Sequence, residues 1–159
     1  MASARIDIAV LLELVTTRLL TLASADLVVL PMGRPTPTGA GPAWCRVKKL
    51  SVPMGAPQVT DGGADQKAVQ LVVECQVQAD LETGSTYSIA SIAEEVRAAL
   101  DQQGLVDPGT THTLVFTDSG AELEADEGDQ ELILRATVTF AGEAMRQSGE
   151  TRAAFSPDA

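Results

Sequence analysis

A chain of 159 residues suits a single domain with one core, and 45% apolar with 21% charged residues fits neither a disordered chain nor a membrane protein. The net charge of −11 sets the surface against phosphate backbones and anionic lipid, so neither direct nucleic-acid binding nor membrane association is expected. An aromatic share of 3% leaves little on which bases or sugars would stack.

In chain order, the first predicted element is a helix over Ile6–Ala23. Ile8, Leu11, Leu12, Val15, Leu19 and Leu22 form one stripe at helical spacing, which faces the core. Ile6, Val10 and Leu14 gather on nearly the opposite side, a second apolar strip to be covered either by the same fold or by a neighbouring subunit. Asp7, Glu13 and Arg18 interrupt the run, and it has no basic start, so it does not read as a signal peptide and a cytoplasmic site of synthesis is expected.

A short strand over Leu27–Leu30 stops at Pro31. Residues 31–43 form an extended loop, with four prolines and three glycines in the twelve residues Pro31–Pro42. A strand over Trp44–Val52 precedes a second loop over residues 53–66. Val69, Leu71, Val73, Cys75, Val77 and Ala79 alternate with polar residues, giving a long strand with one dry face. Ile89–Leu100 repeats at helical spacing, with Ser85, Thr86 or Ser88 as N-cap and Gly104 to receive the C-terminus. Thr111–Thr117 and Glu131–Ala141 are strands, joined through a hairpin whose tip is acidic at Glu122, Glu124, Asp126, Glu127 and Asp129. Residues 142–159 are a polar tail. The expected fold is one α+β domain over residues 1–141, a mixed and mostly antiparallel sheet with two helices packed on one face.

Catalytic chemistry finds no purchase in this pattern. Nucleophilic catalysis needs a base beside its nucleophile, and His112 is the single histidine, read here as a strand side chain on the polar face. Cys45 and Cys75 are too few and too far apart in sequence for a disulfide framework or a zinc site, so free thiols are expected. The acidic hairpin lacks the spacing of a calcium loop, and the glycine-rich stretches lack the strand-to-helix context of a phosphate cradle. No catalytic residue, cofactor or metal is expected. Arg34, Arg46, Lys48 and Lys49 are the basic concentration of an acidic chain. They protect an edge strand or, together with Trp44, meet the acidic hairpin of an adjacent identical subunit head to tail.

The apolar N-terminal helix, the Pro/Gly-rich excursion, the strand AVQLVVECQVQAD, the helix IASIAEEVRAALDQQG and the hairpin ending in ELILRATVTFAGEA together resemble a tail terminator protein of long-tailed bacteriophages, over residues 5–141. The resemblance implies a homo-hexameric ring that caps the tail tube at the head-proximal end of the virion tail. Such a ring stops polymerisation of the tail-tube protein and offers a joint to the head-completion or connector protein. It implies no enzyme activity, and the family has no catalytic residues to carry over. The long loops depart from its smallest members. Head–tail connector and tail-completion proteins share this size and composition. The alternative of another class is a small ligand-binding module or enzyme with a pocket between helices and sheet.

Overall fold

The computed structural model describes residues 5–24, 27–33, 43–53, 65–80, 88–129 and 131–147. Its elements are α1 (Ile8–Leu20), β1 (Leu27–Val29), β2 (Ala43–Ser51), β3 (Asp65–Asp80), α2 (Ile89–Leu100), β4 (Gly104–Asp107), β5 (His112–Glu127) and β6 (Glu131–Arg146). The strands form one sheet in the order β1-β2-β3-β6-β5-β4. β1 runs parallel to β2, and every other neighbouring pair is antiparallel. The α+β class, with a mixed and mostly antiparallel sheet, is the one expected.

The spine is three strands of sixteen residues each, β3, β6 and β5. Their period-2 pattern sends Leu71, Val73, Cys75 and Val77 of β3, and Ala136, Val138 and Phe140 of β6, to one buried face. Both helices cover that face. α2 lies across β3, β6 and β5, and α1 across β2, β4 and β5. Leu11, Val15 and Leu19 of α1 are fully buried in the shared core, each contributing about 1.5–3 kcal/mol through burial of its side chain. At the centre the Phe116 and Phe140 rings meet with centroids 5.9 Å apart. Gly142 makes room for them, since a Cβ there would fall 2.5 Å from Phe116 Cδ1 and 2.6 Å from the Val115 carbonyl oxygen.

Several boundaries differ from the sequence expectations. α1 begins at Ile8 because the Asp7 side chain caps it, accepting from the Ala9 amide at 2.9 Å. Ile8, assigned to the core stripe, is 49% exposed, because the buried stripe starts one turn later at Leu11. α2 keeps its expected span with Ser88 as N-cap. Its exit is taken by Gln102 in the left-handed region (φ 59°), and Gly104 instead opens β4, a strand the sequence reading did not contain. β3 starts at Asp65, inside the expected second loop. β6 continues to Arg146 with Ala144 buried, so the polar stretch does not begin at Gly142.

The largest correction concerns the acidic hairpin. Glu122, Glu124, Asp126 and Glu127 are not in a turn but on the second half of β5, paired with β6 down to Glu127 opposite Leu132. The turn is confined to a few residues, closed by the Gly128 amide donating to the Glu131 carbonyl at 2.8 Å. The stretch AELEADE alternates small or apolar residues with acids, which is strand periodicity. Residues 34–42 and 54–64, most of the two expected loops, lie outside the described residues, as does the tail beyond residue 147.

Candidate functional site

The face of the sheet turned away from the helices is built in rows by the strand register. One row runs Trp44, Gln76, Arg135, Glu124, and the next Arg46, Glu74, Thr137, Glu122. Arg46 Nε donates to Glu74 Oε1 at 2.7 Å, and its Cζ sits 4.7 Å from the centroid of the Trp44 ring. Trp44 is thereby only 6% exposed although it points to the outer face. Arg46 and Trp44 are thus engaged within the subunit. Arg135 pairs with Asp126 on the acidic side.

Beyond these pairs the face carries lysines at its β2 end and acids at its β5 end, with Glu131 and Glu143 of β6 adding to the acidic side. Lys48 and Lys49 lie at a bulge in β2, both exposed, and neither makes an ion pair among the described residues. Glu122 and Glu124 on this face, Glu127 on the opposite face and Asp129 beyond the strand are likewise exposed and outside every ion pair of the described residues. β3 and β6 separate the two sets. Three strand spacings amount to ~14 Å, beyond the ~8 Å screening length of physiological salt, so the sets do not neutralise each other inside one subunit. Arg34 lies outside the described residues.

The second apolar strip of α1 is met mainly by the chain's own fold. Ile6 and Leu14 pack against the core. Val10 and Leu14 line a groove of about 370 Å³ between α1 and β4, together with Glu13, Thr17, Arg18 and Val106. Its polar groups are partly spent, as Arg18 Nε donates to the Ala99 carbonyl at 2.8 Å. This groove and β4 were not legible as a pair, because the four residues GLVD carry no periodicity of their own.

At one end of the sheet, Asp65, Arg146 and His112 stand in register on three adjacent strands. They fasten the segment leading into α1. Asp65 Oδ2 accepts from the Ile6 amide at 2.9 Å, Arg146 Nη1 donates to the Arg5 carbonyl at 2.6 Å, and His112 Nε2 accepts from the Asp7 amide at 2.9 Å. His112 is fully buried, so its expected place on the polar face is corrected. The strand's buried face begins with it and continues through Leu114 and Phe116. Because Nε2 accepts, Nδ1 carries the proton and donates to Thr110 Oγ1 at 2.8 Å, and that hydroxyl donates to Asp107 Oδ2 at 2.8 Å. Burial and the Arg146 charge hold the imidazole below its ordinary pKa. Both ring nitrogens are therefore occupied, Nε2 by the Asp7 backbone amide and Nδ1 by the Thr110 hydroxyl.

Cys45 and Cys75, remote in sequence, are direct partners across β2 and β3, both buried and both free thiols. The Cys75 thiol is pushed up, first by its hydrogen bond with Cys45 and then by burial. Among the described residues no three His, Cys, Asp or Glu side chains converge as a metal ligand set, and no helix is long and apolar enough to cross a membrane. No protein-family model matches the chain, and no curated protein matches it.

Proposed function

We propose that the chain is a non-catalytic structural subunit that joins copies of itself head to tail into a closed ring, acting as a tail terminator of a long-tailed bacteriophage. On this reading six copies cap the tail tube, end its polymerisation and present a surface to the head-completion protein. The observation that carries it is the polarity of the outer sheet face. Lys48 and Lys49 stand on β2, Glu122 and Glu124 stand on β5, and each set lacks an ion-pair partner among the described residues. Unlike charges at opposite ends of one subunit favour heterologous contacts, and heterologous contacts close into rings when the rotation between copies permits. The one histidine supports the non-catalytic part of the reading, since one of its nitrogens anchors the start of α1 and the other is bonded to the Thr110 hydroxyl.

The test is electron microscopy and native mass spectrometry of the protein alone and with tail-tube protein. A six-membered ring that sits on tube ends and limits tube length is the expected result. A chain that stays monomeric in both conditions refutes the reading.

A further inference from the structure

On opposite sides of the sheet, two strand halves have no neighbouring strand on their outer edge among the described residues. β1 covers β2 only along Ala43–Cys45, with the Leu30 amide adding one bond to the Cys45 carbonyl. β4 covers β5 only along His112–Val115, and the chain leading from α2 extends that cover to Asp118, whose amide donates to Asp101 Oδ1 at 2.9 Å. A bulge between Asp118 and Gly120 then ends the covered half, held by the Gly120 amide and the Arg97 guanidinium on the Asp118 carboxylate. Beyond these points, residues 47–51 and 119–127 present main-chain edges that no other described strand covers.

The geometry points to a joint in which the open half of β5 pairs with the open half of β2 of the next copy, so that the sheets run on from subunit to subunit. This rests on the ring reading above and names the surfaces that make it. Strand direction is compatible. β2 is antiparallel to β3, β3 to β6 and β6 to β5, so β2 and β5 run in opposite senses and a continued sheet sets them antiparallel.

The two covers are also complementary. β1 occupies the N-terminal end of β2 and β4 the N-terminal end of β5, leaving the C-terminal half of each strand open. Without any slide, Ser51 would stand level with Thr117 through Gln70 and Ala141. Sliding the next copy by about four to six residues, ~13–20 Å, brings the open halves together and moves β1 and β4 out of the joint. Over the ~19 Å of four strand spacings from β2 of one copy to β2 of the next, that slide tilts the strands by ~35–45°, the tilt with which closed sheets are built.

Charge selects the joint. Open edges are commonly blunted with lysine, and two β2 edges would set Lys48 and Lys49 against themselves, just as two β5 edges would set Glu122 against Glu124. Only the unlike pair is attractive, so the charges that discourage indiscriminate pairing favour the head-to-tail one. Lys49 stands opposite Val72 on the outer face, the same face as Glu122 and Glu124, so the joined strands present the two signs side by side.

The experiment pairs hydrogen exchange with a charge swap on the full chain, using tail-tube protein where the free chain does not assemble. On assembly, amides of residues 119–127 and 47–51 slow by ~10-fold or more. Lys48→Glu with Lys49→Glu, and Glu122→Lys with Glu124→Lys, each fold with unchanged Tm but assemble at least ~10-fold more weakly, and mixing the two restores assembly. A ring whose protection falls on α1 rather than on residues 119–127, or swapped variants that assemble singly like the parent, overturns the joint and leaves the ring reading standing. A parent chain that never assembles overturns the ring reading and the joint with it.

Discussion

The Nε2 atom of His112 accepts the backbone amide of Asp7 at 2.9 Å, tying the start of α1 to a strand 105 residues away. The bond requires a neutral imidazole, because a protonated ring has no acceptor to offer the amide. In the unfolded chain the group titrates near ~6.5, whereas burial and Arg146 keep it lower in the fold. Between those values the unfolded state binds the proton and the native state does not. The contribution is therefore present in full above ~6.5 and is lost as the pH falls through the lower native value. The expected outcome is a urea midpoint that declines on acidification from ~7.5 to ~5.5, with a shallower decline in His112→Gln, whose amide oxygen replaces the acceptor without titrating.

Removing that side chain altogether should cost more than its titration. His112→Ala leaves a cavity in the core and deprives the Asp7 amide and the Thr110 hydroxyl of their partner. A loss of about 2–4 kcal/mol is expected in equilibrium unfolding.

Gly142 is expected to resist the smallest substitution. Gly142→Ala drives a methyl group into Phe116 and the Val115 carbonyl and should destabilise by about 1–3 kcal/mol. Phe116→Leu in the same chain relieves the side-chain part of the clash, so the double variant should lose less than the sum of the singles, as a double-mutant cycle will show.

The facing thiols Cys45 and Cys75 should both resist alkylation by iodoacetamide at pH ~8 in the native protein, because burial shields them and the Cys75 thiolate is disfavoured by its bond to Cys45. Both should be labelled once the chain is unfolded in urea, without added reductant. One label or none in the unfolded chain, counted by mass spectrometry, would contradict the free pair.

Assembly, if it follows the proposed ring, should pass through a maximum with salt. The net charge of −11 on each copy opposes closure at low ionic strength, and ~0.15 M salt screens that long-range repulsion. Near ~1 M the short contacts of Lys48 and Lys49 with the acidic strand weaken as well. Light scattering across this range is expected to show the largest assembled fraction in the middle, and a monotonic rise would argue that apolar contact rather than charge joins the copies.

By itself the sequence determined the elements whose period spans enough residues to be self-evident. The alternation of Val69 through Val77 and the helical spacing of Ile92, Val96 and Leu100 are local facts, fixed by side-chain direction on strand and helix, and both elements stand where the pattern put them. The alternation from Ala121 to Glu127 was equally present, but its acids suggested a solvated turn, and only pairing with β6 shows it to be strand. Tertiary structure alone decided the rest. Nothing local sets Cys45 opposite Cys75, makes β4 a strand, or carries His112 beneath the first turn of α1, because these depend on register between segments distant in the chain. Register also separates the lysines of β2 from the acids of β5 by two intervening strands, and so leaves one subunit with two charged ends that its own fold cannot bring together.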